Sequence, residues 1–233
     1  MRFGVVVFPG SNCDLDMIHV LEQEMEQEVV VLWHKEKDLK GLGSGDCIVL
    51  PGGFAFGDYL RAGAIARFSP IMELVIEYAT NGDYVLGICN GFQILCESGL
   101  LPGALVRNQD QKFICKNIYL RTETTNSLLT NTLEGNQVVK IPVAHAEGRY
   151  VADTSTIEQL QKHDQVLFRY CDAEGNTSEL SNPNGSADHI AGICNENRNV
   201  FGMMPHPERA AEKDLKNTNG RLIFESMLST VAA

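Results

Sequence analysis

Short unbroken apolar runs alternate along this chain with stretches in which apolar residues recur every three or four positions. The run from Phe3 to Phe8 predicts a parallel strand covered on both faces, because only such a strand needs apolar side chains on both sides. Pro9-Gly10-Ser11-Asn12 closes it. Over residues 14–27, Leu15, Ile18, Leu21 and Met25 recur at helical spacing, with Asn12 or Asp14 available as a cap. Residues 29–33 and 46–50 predict two more strands, the second closed by Pro51-Gly52-Gly53. A helix over residues 70–80 leads to a strand over 84–88 and a helix that starts near Gly91.

Beyond Leu101-Pro102-Gly103 the pattern becomes richer in strands. Residues 112–121, 138–143 and 165–171 read as strands and 157–163 as a helix. Residues 187–195 and 199–203 read as a hairpin joined through Glu196-Asn197-Arg198, and a helix over 219–228 closes the chain. No repeat, low-complexity tract or linker divides it, so residues 1–233 are expected to form one domain. The alternation predicts an α/β fold: a flavodoxin-like, open and mostly parallel sheet flanked by helices, with extra antiparallel strands in the second half. In such sheets ligands gather beyond the carboxyl ends of the strands. The turn at Gly52-Gly53 and the bend after Ile88 both belong there.

Composition narrows the partners. The 19 basic residues face 30 acidic ones, for a net charge of −11, which argues against a nucleic-acid surface or an anionic membrane. Seven cysteines with no Cys-x-x-Cys pair suggest neither a disulfide scaffold nor a metal site. The first residues enter a strand directly, without a signal-peptide layout, and no apolar run is long enough for a bilayer. A reducing cytoplasm is the expected setting.

Gly87-Ile88-Cys89-Asn90-Gly91 is the thiol version of a nucleophile elbow. A strand turns sharply into a helix, and small neighbours let the backbone pass close to the exposed nucleophile. The helix N-terminus beside the sulfur favours its anionic form. A buried structural cysteine would fit this stretch equally well if it stood alone. A thiol that attacks an amide also needs a partner base and donors for the oxyanion. His19, His34, His163 and His189 read as surface or structural residues. His206 follows the apolar run 200–204 and sits between Pro205 and Pro207, with Glu208 two residues on. That glutamate is placed to orient the imidazole, the acid's role in a triad. Backbone N–H groups at Gly52 and Gly53, with that of Asn90, are candidates for the oxyanion hole.

The segments Pro51-Gly52-Gly53-Phe54, Gly87 to Gln93 and Pro205-His206-Pro207-Glu208 resemble those of the class I, triad-type glutamine amidotransferases, in the same order. The stretch 53–67 (Gly-Phe-Ala-Phe-Gly-Asp-Tyr-Leu-Arg-Ala-Gly-Ala-Ile-Ala-Arg) narrows the likeness, as do residues 7–14 and 142–150. They are similar to the glutaminase subunits of phosphoribosylformylglycinamidine synthase, an enzyme of purine synthesis. The resemblance implies Cys89 as nucleophile, His206 and Glu208 as its partners, and Gly53 with the backbone of Asn90 as oxyanion hole. It also implies that Gln93 helps hold glutamine and that Ala144-His145-Ala146-Glu147 lines the pocket, with further contacts from 108–113. Ala55-Phe56 stands where the family usually has Ser-Tyr, and Ala146 where it has Gly.

The same resemblance implies no cofactor in this chain. ATP and magnesium would serve a synthetase partner that receives the ammonia, often together with a small third subunit, and residues 59–67 are expected to face that partner. Three rival readings stay open on the residues alone: an amidotransferase subunit serving another acceptor, a free-standing hydrolase of γ-glutamyl compounds, and a non-catalytic module with a redox-sensitive elbow cysteine.

Overall fold

The computed structural model describes residues 1–229. Among the described residues, eleven strands and five α-helices follow one another. The strands are β1 (Phe3–Val7), β2 (Val29–Trp33), β3 (Cys47–Leu50), β4 (Tyr84–Ile88), β5 (Ala104–Val106), β6 (Ile114–Thr122), β7 (Val138–His145), β8 (Arg149–Val151), β9 (Val166–Cys171), β10 (Ile190–Cys194) and β11 (Val200–Met203). The helices are α1 (Asp14–His19), α2 (Pro70–Thr80), α3 (Asn90–Glu97), α4 (Thr154–Lys162) and α5 (Arg221–Ser229).

Nine of the strands form one sheet in the order β2-β1-β3-β4-β11-β10-β9-β6-β7. The pairs from β2 to β11 are parallel, and those from β11 to β7 are antiparallel. The expected parallel sheet with an antiparallel second half is therefore present. The central strands are buried on both faces, as their unbroken apolar runs require. Strand β11 matters most for the site. It returns from late in the chain to pair with β4, with Met203 opposite Ile88. Segments 117 residues apart thus end side by side at the carboxyl edge of the sheet (206 − 89 = 117).

Three expectations need correction. The first helix does not run to residue 27. It ends at His19 and passes into a π-helical turn over Val20–Glu24, with Met25 N–H bonded to the Val20 carbonyl. Met17, Val20, Leu21 and Met25 make the buried face, whereas Leu15 lies on the opposite side and is 72% exposed. Helix α4 starts at Thr154, earlier than its apolar spacing suggests, because the Asp153 carboxylate accepts the Thr156 N–H at 2.7 Å and caps it. Residues 187–189 form a 3₁₀ turn instead of a strand, since Asp188 and His189 have positive φ, which breaks extended backbone. The short pair β5–β8 forms a second, two-stranded sheet that no run of apolar residues announces.

Candidate active site

The elbow is built by close approach. Cys89 sits at φ +49° and ψ −103°, a conformation rarely used by a residue with a side chain. A Cβ on Gly91 would lie 1.8 Å from the Leu50 carbonyl oxygen, and one on Gly87 would lie 2.7 Å from the Gly91 backbone. Only glycine fits at either position, so the spacing of the motif follows from packing. The Cys89 N–H donates to the Met203 carbonyl at 2.8 Å and locks the elbow to β11. Cys89 ends up buried at the N-terminus of α3, and Asn90 opens that helix, where an N–H has no helical acceptor.

His206 follows β11. Its N–H donates to the Pro142 carbonyl at 2.9 Å, and its Nδ1 lies 2.6 Å from Glu208 Oε1, both side chains being fully buried. Burial works against a charged imidazole here. The negative charge of Glu208 leads the groups that outweigh it and hold the His206 pKa well above the ordinary value. The ring is thus an imidazolium paired with a carboxylate on one side. Its buried Nε2 has no hydrogen-bond partner among the described residues.

Cys13 is a neighbour that sequence reasoning missed. Cys13, His206 and Glu208 bring atoms of metal-ligand type within 4.8 Å of one another. The donors are already committed, however. His206 and Glu208 bond each other, and the Arg209 guanidinium reaches Cys13 Sγ at 3.0 Å while pairing with Asp16. A cation there would have to displace Arg209, so the arrangement suits an electrostatic cluster better than a metal centre.

A cavity of 210 Å³ opens beside Cys89. Gly53, Gln93, Ala144, His145 and Ala146 line it, as do Phe54, Asp58, Arg107 and Glu147. Its size is below the roughly 300–1,000 Å³ of pockets for drug-sized ligands and suits a small metabolite. A larger cavity of 720 Å³ lies across Ala144 and touches His206 and Arg209, but Cys89 does not line it. The nucleophile therefore opens onto the smaller cavity, whereas His206 lines the larger one, and Ala144 stands between the two.

The residues picked out from the sequence take distinct places around this cavity. Gly53 lines it at φ +132°, where a Cβ would meet the Asn12 N–H at 2.7 Å. Gly52 instead lies behind the imidazole, where a Cβ would come within 2.6 Å of His206 Cε1. The Asn90 side chain ties the walls together: it accepts the Ala55 N–H at 3.1 Å and donates to Gln93 Oε1 at 2.9 Å and to Asp58 Oδ1 at 3.2 Å. Gln93 donates to the Glu147 carbonyl at 2.6 Å, so both ends of its amide are held in the wall.

Asn108 is a wholly buried anchor for the 144–148 loop. Its Oδ1 accepts the Gly148 N–H and faces His145 Nδ1, each at 3.1 Å. His145 therefore carries its proton on Nδ1 and presents an unpartnered Nε2 lone pair. Burial, helped by the charge of His206, lowers its pKa to about 4, which keeps it neutral.

The family departures are accommodated locally. Phe56 joins an aromatic cluster, with its ring 6.5 Å from Phe8 and 5.3 Å from His34. Ala55 is buried. Ala146 is absent from the positive-φ positions, so its backbone tolerates a methyl group. In the 59–67 stretch, Arg61 forms a two-point ion pair with Glu97, and Arg67 donates to the Glu97 carbonyl. Those charges pin the stretch to the end of α3 and leave Tyr59, Leu60 and Phe68 exposed.

Comparison with known proteins agrees with this geometry. Residues 1–226 match the family model of the CobB/CobQ-like glutamine amidotransferase domain. Phosphoribosylformylglycinamidine synthase subunit PurQ of Koribacter versatilis is 55% identical over 232 residues, covering 100% of this chain and 99% of that protein. The protein of the same name from Acaryochloris marina is 53% identical over 233 residues, covering 100% and 98%. The solved structure of PurLQS from Thermotoga maritima superimposes with a TM-score of 0.84 at 41% identity, over 99% of this chain and 98% of that one. A second solved structure from Thermotoga maritima, of a glutamine amidotransferase 16% identical to this chain, shares the fold with a TM-score of 0.56, over 99% of this chain and 92% of that one. The chain belongs to the glutamine amidotransferases and, within them, to the PurQ subunits of phosphoribosylformylglycinamidine synthase.

Proposed function

We propose that this chain hydrolyses glutamine to glutamate and ammonia through Cys89, His206 and Glu208. The ammonia passes to a synthetase partner that makes formylglycinamidine ribonucleotide in purine synthesis. The observation that carries this reading is the meeting of an elbow cysteine and a buried imidazolium–carboxylate pair at adjacent strand ends, beside a cavity of amino-acid size. The sulfur of Cys89 adds to the side-chain amide carbon, and the oxyanion is received by the N–H groups of Gly53 and Asn90. Each such donor is worth about 3 kcal/mol. His206 gives its Nε2 proton to the nitrogen as the C–N bond breaks, so ammonia leaves and a γ-glutamyl thioester remains. The now neutral imidazole takes a proton from water as that water attacks the thioester. Glutamate departs and the ion pair is restored. Glu208 acts throughout by orienting the ring and stabilising its charge.

The solved PurLQS relative supports assembly with a synthetase and a small third subunit, since such an assembly would keep ammonia from solution. Tyr59, Leu60 and Phe68, exposed at 74%, 92% and 75%, suit the docking face. ATP and magnesium belong to the partner in this reading. A cytoplasmic setting accords with seven free cysteines, and no described helix is long and apolar enough to cross a membrane.

The test is glutamate release with and without the synthetase subunits, ATP and formylglycinamide ribonucleotide. The expected result is partner-stimulated release that Cys89→Ala reduces by at least about 10⁴-fold. Release at full rate in Cys89→Ala would overturn the mechanism, and full release by the isolated chain would favour a free hydrolase.

A further inference from the structure

The 144–148 loop supplies one wall of the cavity beside Cys89, through Ala144, His145, Ala146 and Glu147. What holds that wall in place lies outside the cavity. Gly148 is gripped from both sides by asparagines: Asn108 Oδ1 accepts its N–H at 3.1 Å, and Asn184 Nδ2 donates to its carbonyl at 2.8 Å. The two come from distant segments and are 0% and 1% exposed. They are also tied to each other, since the Gln109 N–H donates to the Asn184 carbonyl at 3.0 Å. Gly148 in turn lies against the imidazole of His145. A Cβ there would stand 2.3 Å from the ring atoms Nδ1 and Cε1, so the ring cannot keep its place if Gly148 shifts.

Asn184 belongs to the segment Asn182-Pro183-Asn184-Gly185-Ser186. That segment is fastened to its surroundings. Ser186 Oγ accepts the Tyr150 N–H, and Arg149 Nε donates to the Gly185 carbonyl, each at 3.0 Å. Asn182 shapes the turn from within: its Oδ1 accepts the Gly185 and Ser186 N–H groups, and its Nδ2 donates to the Ser186 carbonyl. Asn184 faces two ways. Its Oδ1 accepts the Ser186 N–H at 3.0 Å while its Nδ2 holds Gly148. A carboxylate in its place would keep the first bond but set an oxygen against the Gly148 carbonyl, leaving a buried acceptor without a donor.

We propose that Asn184 is a positioning residue for glutamine hydrolysis: through Gly148 it sets the loop that carries His145 and Glu147. Asn184 itself stands behind the cavity wall and does not line it. The elbow is fixed separately, by the bond from the Cys89 N–H to the Met203 carbonyl of β11. Asn184 thus governs how firmly glutamine is held and leaves the chemistry at the sulfur unchanged. The proposal rests on the glutaminase reading of this cavity.

The experiment measures kcat and KM for glutamine in the full complex, and the denaturation midpoint of the chain, for the unmodified protein, Asn184→Asp and Asn182→Ala. Asn184→Asp is expected to raise KM by about tenfold or more and to keep kcat within about threefold. Alkylation by iodoacetamide, followed on the Cys89 peptide, should keep its rate, because it needs only the reacting end. Asn182→Ala weakens the same turn but leaves the bond to Gly148, so it should lower the midpoint without moving KM. If Asn184→Asp folds poorly, Asn184→Ser, too short to reach the Gly148 carbonyl, makes the same test. An equal rise in KM in Asn182→Ala would make the role merely structural and overturn the proposal. Unchanged kinetics in Asn184→Asp, or a fall in kcat with KM unmoved, would do the same. None of these results would touch the reaction itself, which fails only if Cys89→Ala still turns over.

Discussion

The reacting end and the recognition end of the cavity are built on opposite principles. At the reacting end Cys89, His206 and Glu208 are buried, emerge from adjacent strands of the main sheet and are fixed by backbone hydrogen bonds. At the recognition end Asp58, Arg107 and Glu147 come from three loops and remain partly exposed, with like charges left facing each other. The first end must keep its geometry whether or not substrate is present, since misplacement of a reacting group is costly in rate. The second must admit and release a charged molecule, so it stays open and unsatisfied until that molecule arrives. Rigidity and repulsion thus occupy neighbouring walls of one small space.

The contrast can be broken first at the reacting end. Glu208→Gln leaves the imidazole a hydrogen-bond partner but removes the charge that holds His206 protonated. Glutamate release by the complex is expected to fall by roughly 10³–10⁴-fold, with little change in the KM for glutamine. A change confined to KM would place Glu208 in recognition instead.

A smaller effect should appear in stability at the same end. The Cβ introduced by Gly91→Ala meets backbone at 1.8 Å, so α3 must move away from β3. A loss of about 3 kcal/mol is expected, at the upper end for overpacking, and is readable as a lowered midpoint in denaturant. An unchanged midpoint would mean that the elbow is not as tightly packed as its geometry implies.

The smallest effect has the opposite sign and belongs to the recognition end. The folded protein holds the Asp58 proton more tightly than the unfolded chain does, with a pKa of about 6 against 3.8. Its contribution to stability is present below pH 3.8 and is lost as pH rises through about 6. At neutral pH Asp58→Asn should therefore stabilise the substrate-free protein, by about 1 kcal/mol once solvent screening is allowed for. The gain should vanish at pH 4. A destabilised variant at neutral pH would show that the carboxylate is satisfied by the protein.

The two ends also differ in how far the sequence revealed them. The elbow and the Pro-His-Pro-Glu loop could be read because packing and proline leave short-range signatures: Gly87 and Gly91 flank the cysteine, and prolines flank His206. The helix over Pro70–Thr80 and the strands Val29–Trp33 and Tyr84–Ile88 were equally legible from their apolar runs. Arg107 was missed because it follows β5, a strand of only three residues paired with the equally short β8. Asp58 lay within a recognised stretch, but its role depends on facing Glu147 across a cavity, which no local spacing encodes. Gly52 was assigned by adjacency to the oxyanion hole. The fold turns it toward the imidazole, because its neighbour Gly53 takes the positive φ that faces the cavity. Leu15 misled for a related reason: its spacing fitted the edge of an apolar stripe whose buried centre is Met17 and Leu21.

The central claim is that the sulfur of Cys89 bonds covalently to the substrate. The most direct measurement is to quench the complex with acid during glutamine turnover and map the modified peptide by mass spectrometry. The account predicts a γ-glutamyl adduct on Cys89, labile to hydroxylamine, and none on the other six of the seven cysteines. An adduct on Cys13, or turnover with no adduct on Cys89 under conditions that trap thioesters, would contradict it.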